Sequence, residues 1–330
     1  MQAILIPEPG GPEVLTLCQV ATPVPGKGEV RVIVRATAVN RADVLQRRGK
    51  YPAPPDAPAD IPGLEFAGVV DALGEGVQEV KQGDQVFGLA SGGCYAEYVV
   101  VNARCLAKIP AVLSFAEAAA VPEAFITAWD AMIEQSGLVA GETVLVSAVG
   151  SGVGTAAVQI ARAVGARSIG TARCAAKLER AAQLGMDHGL LLSGEDFASS
   201  VLELTQGQGV DVVLELVGGN YLSQDIKCMA QKARLSLVGL VAGASCQLDL
   251  GSVLKKRLTI RGTTLRMRPL EEKISAGRLL VRHLVPLFAS GALKPVVDHV
   301  FPLAQAAEAH ALMERNDNFG KIVLEISGSD

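Results

Sequence analysis

Apolar positions along the chain fall into two textures. Through about the first 120 residues, short alternating or continuous apolar stretches (QAILI, GEVRVIVRATAV, FAGVVDAL, DQVFGL and YAEYVVV) are separated by Gly/Pro punctuation such as Pro9-Gly10-Gly11-Pro12, Pro25-Gly26 and Gly74-Glu75-Gly76. Period-two alternation bounded by turn residues predicts strands. Arg41 to Arg48 reads as one short helix, and Tyr51 to Pro62, with five prolines, as an irregular surface loop.

The texture changes near Ser114. SFAEAAAVPEAFITAWDAMIEQSG predicts a short helix, a break at Pro122 and a longer helix ending near Gly137. From Thr143 onward, apolar runs (TVLVSA, RSIGTA, HGLLL, DVVLELV, ARLSLVGL and LTIRGT) alternate with helical stretches such as Val153–Val164 and Ala175–Leu184. Strand–helix alternation with apolar strands predicts a doubly wound parallel sheet with right-handed crossovers. After about Arg266 come a helix (Leu270–Ala289), DHVFPL, a helix (Ala304–Glu314) and a closing strand, GKIVLEI.

The chain has 330 residues, enough for two domains. The expected fold is α/β: a Rossmann sheet at 122–265 inserted in a mostly-β domain built from 1–121 and 266–330. Abundant glycine and few aromatics suit buried parallel strands. A net charge of −4 without a basic run argues against nucleic acid as a primary partner. No apolar run reaches the ~18–20 residues of a membrane helix, and no secretory signal stands at the start, so a cytoplasmic protein is expected. The six cysteines form no C-x-x-C pair and are expected to be reduced.

TVLVSAVGSGVGTAAVQIARAVG, residues 143–165, carries the strongest local chemistry. An apolar strand enters a glycine turn, Gly150-Ser151-Gly152-Val153, and then a helix of small residues. Backbone there can approach a pyrophosphate, and the helix N-terminus favours negative charge. The strict G-x-G-x-x-G spacing is absent. At the end of the next strand an NAD enzyme usually places an acid for the ribose 2′-OH. Here stand Arg173 and Lys177 instead, two cations suited to the 2′-phosphate of NADPH. Cys174 lies beside them.

Five spaced motifs then carry a resemblance over essentially the whole chain. They are N-R-A-D-x-x-x-R-x-G-x-Y (Asn40 to Tyr51), P-G-L-E-x-A-G (Pro62 to Gly68), A-A-x-P-E-A-x-x-T-A-W (Ala119 to Trp129), S-G-V-G (Ser151 to Gly154) and N-x-G-K-I-V-L-E (Asn318 to Glu325). Together they resemble the zinc-free quinone oxidoreductases of the medium-chain dehydrogenase/reductase superfamily, in the branch of zeta-crystallin and the p53-inducible quinone oxidoreductase, the latter nearer in pattern. The resemblance implies a GroES-like catalytic domain from both ends of the sequence and a homodimer formed through Rossmann edge strands, here 233–262. It implies that Gly150, Ser151, Gly152 and Val153 cradle the pyrophosphate and that Arg173 and Lys177 hold the 2′-phosphate. Leu240, Val241, Thr264 and Leu265 would line the nicotinamide, and Thr127 and Asn318 would bond the ribose–phosphate stem. Asn40 and Tyr51 would face the acceptor and hydrogen-bond its oxygen. Relatives often carry Tyr at the end of the third Rossmann strand, where Leu192 stands here.

Zinc-dependent relatives carry a catalytic Cys, a Gly-His-Glu and a four-cysteine loop. Here Asn40 and Leu64 stand at the ligand positions, and the segment 88–102 holds one cysteine. No metal is therefore expected, and Glu65 reads as structural. Without a Lewis acid the expected chemistry is hydride delivery from NADPH to an electron-poor acceptor, a quinone or similar conjugated carbonyl. Three alternatives stay open: an enoyl or alkenal reductase, an NADPH-regulated binding protein of crystallin or RNA-binding type, and an accessory reductase in a biosynthetic pathway.

Overall fold

A computed structural model describes residues 1–194 and 196–326. The chain divides into two compact units, one formed by Met1–Ile126 and Leu265–Asp330, the other by Thr127–Thr264. The sequence pattern predicts the boundaries at 121/122 and 265/266.

The first unit opens with β1 (Gln2–Leu5) and β2 (Thr16–Gln19), an antiparallel pair in a sheet of their own. Then follow β3 (Glu29–Val39), α1 (Arg41–Arg47), β4 (Glu65–Leu73), β5 (Gln85–Leu89), β6 (Tyr98–Asn102), β7 (Leu106–Lys108) and α2 (Phe115–Ala119). Ser114 caps α2, its Oγ accepting from Glu117 N at 3.2 Å while Glu117 reaches back to Ser114 N. Helix α3 (Pro122–Trp129) starts on proline, which fits a first turn that needs no N–H there, and carries the chain into the second unit.

The second unit continues with β8 (Thr143–Val146), α4 (Gly152–Ala163), β9 (Arg167–Ala172), α5 (Ala175–Gln183), β10 (His188–Leu191), α6 (Ala198–Leu204), β11 (Val210–Glu215), α7 (Tyr221–Cys228), β12 (Met229–Leu237), α8 (Leu250–Lys256) and β13 (Thr259–Gly262). Its six strands lie in the order β10-β9-β8-β11-β12-β13 and every pairing is parallel. Strand β8 is buried on all four residues, as a central strand covered on both faces must be. The order reverses between β8 and β11, the place where such sheets open a crevice at the carboxyl ends of their strands.

The chain then returns to the first unit with α9 (Leu270–Leu279), α10 (Val285–Ala289), β14 (Val297–Pro302), α11 (Ala306–Arg315) and β15 (Lys321–Glu325). A wide helical turn at Leu280–Leu284 joins α9 to α10, so the predicted helix at 270–289 is one rod with an expanded middle. The large sheet of this unit runs β14-β15-β3-β4-β5-β7. Strand β3 is shared lengthwise along one side: Glu29–Ile33 pairs with β6 and Ala36–Val39 with β15. A core of Val30, Val32, Val34, Phe66, Tyr95, Ile322 and Leu324 packs around it. Among the described residues no helix is long and apolar enough to cross a membrane, and all six cysteines are free.

Candidate active site

In the second unit, β8 ends in a turn whose geometry explains its small residues. Ala148 adopts φ 47°, and Ser147 Oγ ties the neighbouring strand by donating to Leu214 O (3.3 Å) and accepting from Leu216 N (2.6 Å). Ser151 caps α4, with Oγ accepting from Gly154 N at 3.0 Å. A Cβ on Gly154 would stand 2.7 Å from Ala148 O, Val149 Cα and Val149 O, all backbone. Only glycine lets α4 start this close to the turn. The first N–H groups of α4, at Gly152 and Val153, have no intrahelical carbonyl to bond, which suits a pyrophosphate.

Strand β9 runs straight into Arg173, exposed, and Lys177 follows on the first turns of α5, partly buried. No acidic residue stands between Ala172 and Lys177. Leu192, standing where relatives often carry Tyr, is buried in the hydrophobic core of this unit, and its N–H bonds Ala172 O at 2.8 Å. Leu240 and Val241 lie after β12 and are 52% and 59% exposed. Thr264 closes this unit after β13, whereas Leu265 is buried in the other. Thr127 is buried on α3.

The first unit gathers the remaining residues around a buried charge cluster. Lys321, at the start of β15, sends its ammonium to Glu65 Oε1 (2.7 Å), Asn40 Oδ1 (2.5 Å) and Val39 O (3.2 Å). Glu65 is fully buried, and its other oxygen accepts from Glu123 N at 2.7 Å. Asn40 Nδ2 donates to Glu65 Oε1 (2.8 Å) and Ala38 O (3.2 Å). Both amide hydrogens are thereby spent, and Oδ1 is taken by Lys321. The Asn40 carboxamide thus braces Glu65 and Lys321. Tyr51 is half-buried, and the Arg266 guanidinium lies 5.4 Å over its ring. Burial and the charge of Glu123 hold the Tyr51 phenol above its ordinary range, so it is a hydrogen-bond donor at neutral pH. Asn318 Nδ2 donates to Gly320 O (2.8 Å), shaping the turn before β15.

A second layer sits behind Asn40. Asp43 accepts from Asn40 N (2.8 Å) and Gly63 N (3.1 Å). Gly63 has φ 101°, and a Cβ there would meet Tyr95 and Cys94 within 2.9 Å, which accounts for the glycine of the Pro62 to Gly68 motif. Tyr95 Oη lies 3.4 Å from Asp43 Oδ2 and 3.0 Å from His310 Nε2, while Arg47 Nη1 lies 3.3 Å from His310 Nδ1. Arginine only donates, so His310 Nδ1 accepts, Nε2–H donates to Tyr95, and Tyr95 donates to Asp43. Burial and then the charges of Arg47 and Arg41 press His310 down to about 3, so it stays neutral. Burial raises Asp43 to about 6, against its backbone bonds and the charges of Arg266 and Lys321. Asp43, Lys321, Glu123, Arg266 and His310 carry no local signal of these roles; only their place in shared motifs marked the first three.

A glycine turn on a parallel sheet, with a buried polar cluster in a separate β unit, defines a dinucleotide-type oxidoreductase. Residues 152–280 match the family described as zinc-binding dehydrogenase, and residues 26–111 match the alcohol dehydrogenase GroES-like domain. The chain is 35% identical over 329 residues to a quinone oxidoreductase of Lama guanicoe, covering 98% of this chain and 97% of that protein. Among solved structures, Escherichia coli quinone oxidoreductase complexed with NADPH matches with a TM-score of 0.89 at 29% identity, over 98% of this chain and 100% of that one. An NAD-dependent alcohol dehydrogenase matches with a TM-score of 0.87 at 38% identity, over 99% and 100%. The chain belongs to the medium-chain dehydrogenase/reductase superfamily and is an oxidoreductase.

Proposed function

We propose that this protein is an NADPH-dependent, zinc-independent reductase of quinones and similar conjugated carbonyl acceptors. The observation that carries the reading is the Lys321 ammonium seated between Glu65 and Asn40. The family description implies zinc, and the residues here do not fit it. The buried carboxylate is already neutralised by a cation, the neighbouring amide is a weak ligand, and Leu64 offers an aliphatic side chain where zinc needs imidazole or thiolate. Alcohol oxidation without a Lewis acid would leave a poorly polarised oxygen. A quinone needs little polarisation, since its own ring stabilises the charge it gains.

The cofactor reading rests on the same logic. The turn at Gly150–Val153 and the N-terminus of α4 would hold the pyrophosphate, and Arg173 and Lys177 the 2′-phosphate, where an acid would repel it. Thr127, Leu240, Val241, Thr264, Leu265 and Asn318 are assigned to the rest of the cofactor. When bound, the reduced nicotinamide supplies a hydride. Tyr51 is the donor to the acceptor oxygen, and Asn40 holds Glu65 and Lys321 together. Strand β13 is exposed along its whole length at the sheet edge, and we assign it to a homodimer contact. The free cysteines, with Cys174 exposed, suit a cytoplasmic protein.

The test is reduced-nicotinamide oxidation with 1,2-naphthoquinone and, in parallel, trans-2-hexenal, comparing wild type with Tyr51→Phe. Turnover of the quinone, reduced about tenfold or more in kcat by Tyr51→Phe, is the expected result. Turnover of the enal alone moves the protein to enoyl reduction. Tight NADPH binding with neither turnover makes it a binding protein.

A further inference from the structure

Three carboxyl groups and two cations meet in the cluster of the first unit. Glu65 is matched by Lys321 and takes hydrogen bonds from Asn40 Nδ2 and Glu123 N. Asp43 is bonded by Asn40 N, Gly63 N and Tyr95 Oη, and it feels the charges of Arg266 and Lys321. The guanidinium of Arg266 gives its own hydrogen bonds to Ser91 O (2.8 Å), Tyr51 O (3.4 Å) and Gln46 Oε1 (2.7 Å). Among the described residues, none donates a hydrogen bond to the Glu123 carboxyl. Charge balance therefore leaves Glu123 as the surplus acid. It also differs from the other two in exposure: Asp43 and Glu65 are fully buried, whereas Glu123 is partly open. Its charge reaches the Tyr51 phenol, the donor assigned to the acceptor.

We propose that Glu123 is the general acid of the reaction, holding a proton on its carboxyl at neutral pH and passing it to the oxygen of the reduced acceptor beside Tyr51. The proposal rests on the quinone reading. The groups that face Glu123 act in opposite senses. Burial and then the charge of Glu65 push it up to about 8, Asp43 adds to this, and Lys321 and Arg266 pull it back. A quinone that has accepted a hydride is a hydroquinone monoanion and needs one proton. The O–H bond of Glu123 breaks, an O–H bond forms on the acceptor oxygen, and the carboxylate left behind is reprotonated from water on its open side. An acid poised near the working pH does this best, because it is protonated before the transfer and weakly basic after it.

The experiment combines Glu123→Gln and Glu123→Asp with two readouts. Infrared titration of the cofactor-free protein is expected to show a carboxylic-acid C=O band at neutral pH that is lost as pH rises through about 8 and is missing in Glu123→Gln. With saturating NADPH and 1,2-naphthoquinone, wild-type kcat is expected to fall with rising pH over the same range. Glu123→Gln is expected to lose about 100-fold at neutral pH and to have no such limb, with its NADPH Kd unchanged; Glu123→Asp regains part of the rate. A wild-type protein without that band, or a Glu123→Gln variant that keeps the wild-type limb, overturns the proposal while leaving quinone reduction standing. If the wild type reduces no quinone, the functional reading falls, and the infrared titration still decides whether Glu123 holds the proton.

Discussion

Glu65 and Lys321 stand 256 positions apart in the chain, yet Lys321 Nζ lies 2.7 Å from Glu65 Oε1 with both side chains almost wholly buried. The pair joins β4 to β15 through the middle of the first unit. Removing one partner of a buried ion pair strands the other charge, at a cost of about 3–5 kcal/mol. Lys321→Met is therefore expected to lower the unfolding free energy by that amount, seen as a lower urea midpoint at unchanged m. Lys321→Arg should not rescue it, because a planar fork cannot meet Glu65, Asn40 and Val39 O together. The double variant Lys321→Met/Glu65→Leu should be more stable than Lys321→Met alone. Urea unfolding of the three proteins measures this.

At the phosphate turn, Gly154→Ala puts a methyl group against backbone that has no rotamer to yield. Overpacking of this kind costs about 1–3 kcal/mol. The expected outcome is a lowered Tm and a raised KM for NADPH, while Gly76→Ala, strained by its φ of 82° but meeting nothing within 4 Å, leaves that KM unchanged. Thermal melts and steady-state kinetics check both.

Cofactor choice is expected to reside in Arg173 and Lys177. Replacing either by Ala should raise the NADPH Kd about tenfold, the equivalent of about 1.4 kcal/mol, and leave the NADH Kd untouched. Fluorescence titration with the two dinucleotides separates the outcomes; equal losses for both would remove the 2′-phosphate from the argument.

His310 makes the fold sensitive to acid. Its folded value of about 3 lies below its ordinary 6.5, so between these limits only the unfolded chain takes up the proton. Stability is lost as pH falls through that window, by about 1.4 kcal/mol per pH unit for one proton. In His310→Gln the slope of unfolding free energy against pH, from denaturant melts between pH 6.5 and 3, should be shallower by one proton. An unchanged slope would place the acid sensitivity elsewhere.

The inserted sheet was readable because each of its strands is a short apolar run between helical stretches, a local pattern that needs no distant partner. The glycine turn was readable for the same reason, although the contact of Gly154 with Val149 depends on the packing of α4 against the turn. Much less of the first unit could be seen. Nothing local in GKIVLEI says that Lys321 points inward toward a glutamate on another strand. Asn40 could be singled out, but its partners Glu65 and Lys321 could not, since which atoms an amide bonds is decided by neighbours brought in from β4 and β15. Leu192, standing where relatives often carry Tyr, turns its side chain into the core, a placement that depends on packing and not on any local pattern after β10. Asp43, on a helix of mixed polarity, reads locally as a surface residue and proves fully buried.

The lengthwise sharing of β3 sets an order for events during synthesis. Residues 29–33 find β6 within about 70 positions, while residues 36–39 wait for β15, nearly 290 positions away. Between them the ribosome makes every strand of the parallel sheet, which is a contiguous stretch free to condense on its own. Until Lys321 emerges, a nascent chain holds Glu65 and Asn40 without their cation and half of β3 without its neighbour. The last strand to arrive thus carries both the missing backbone partner and the missing charge, and a chain cut short before it is left marked for chaperone or protease by an unpaired edge.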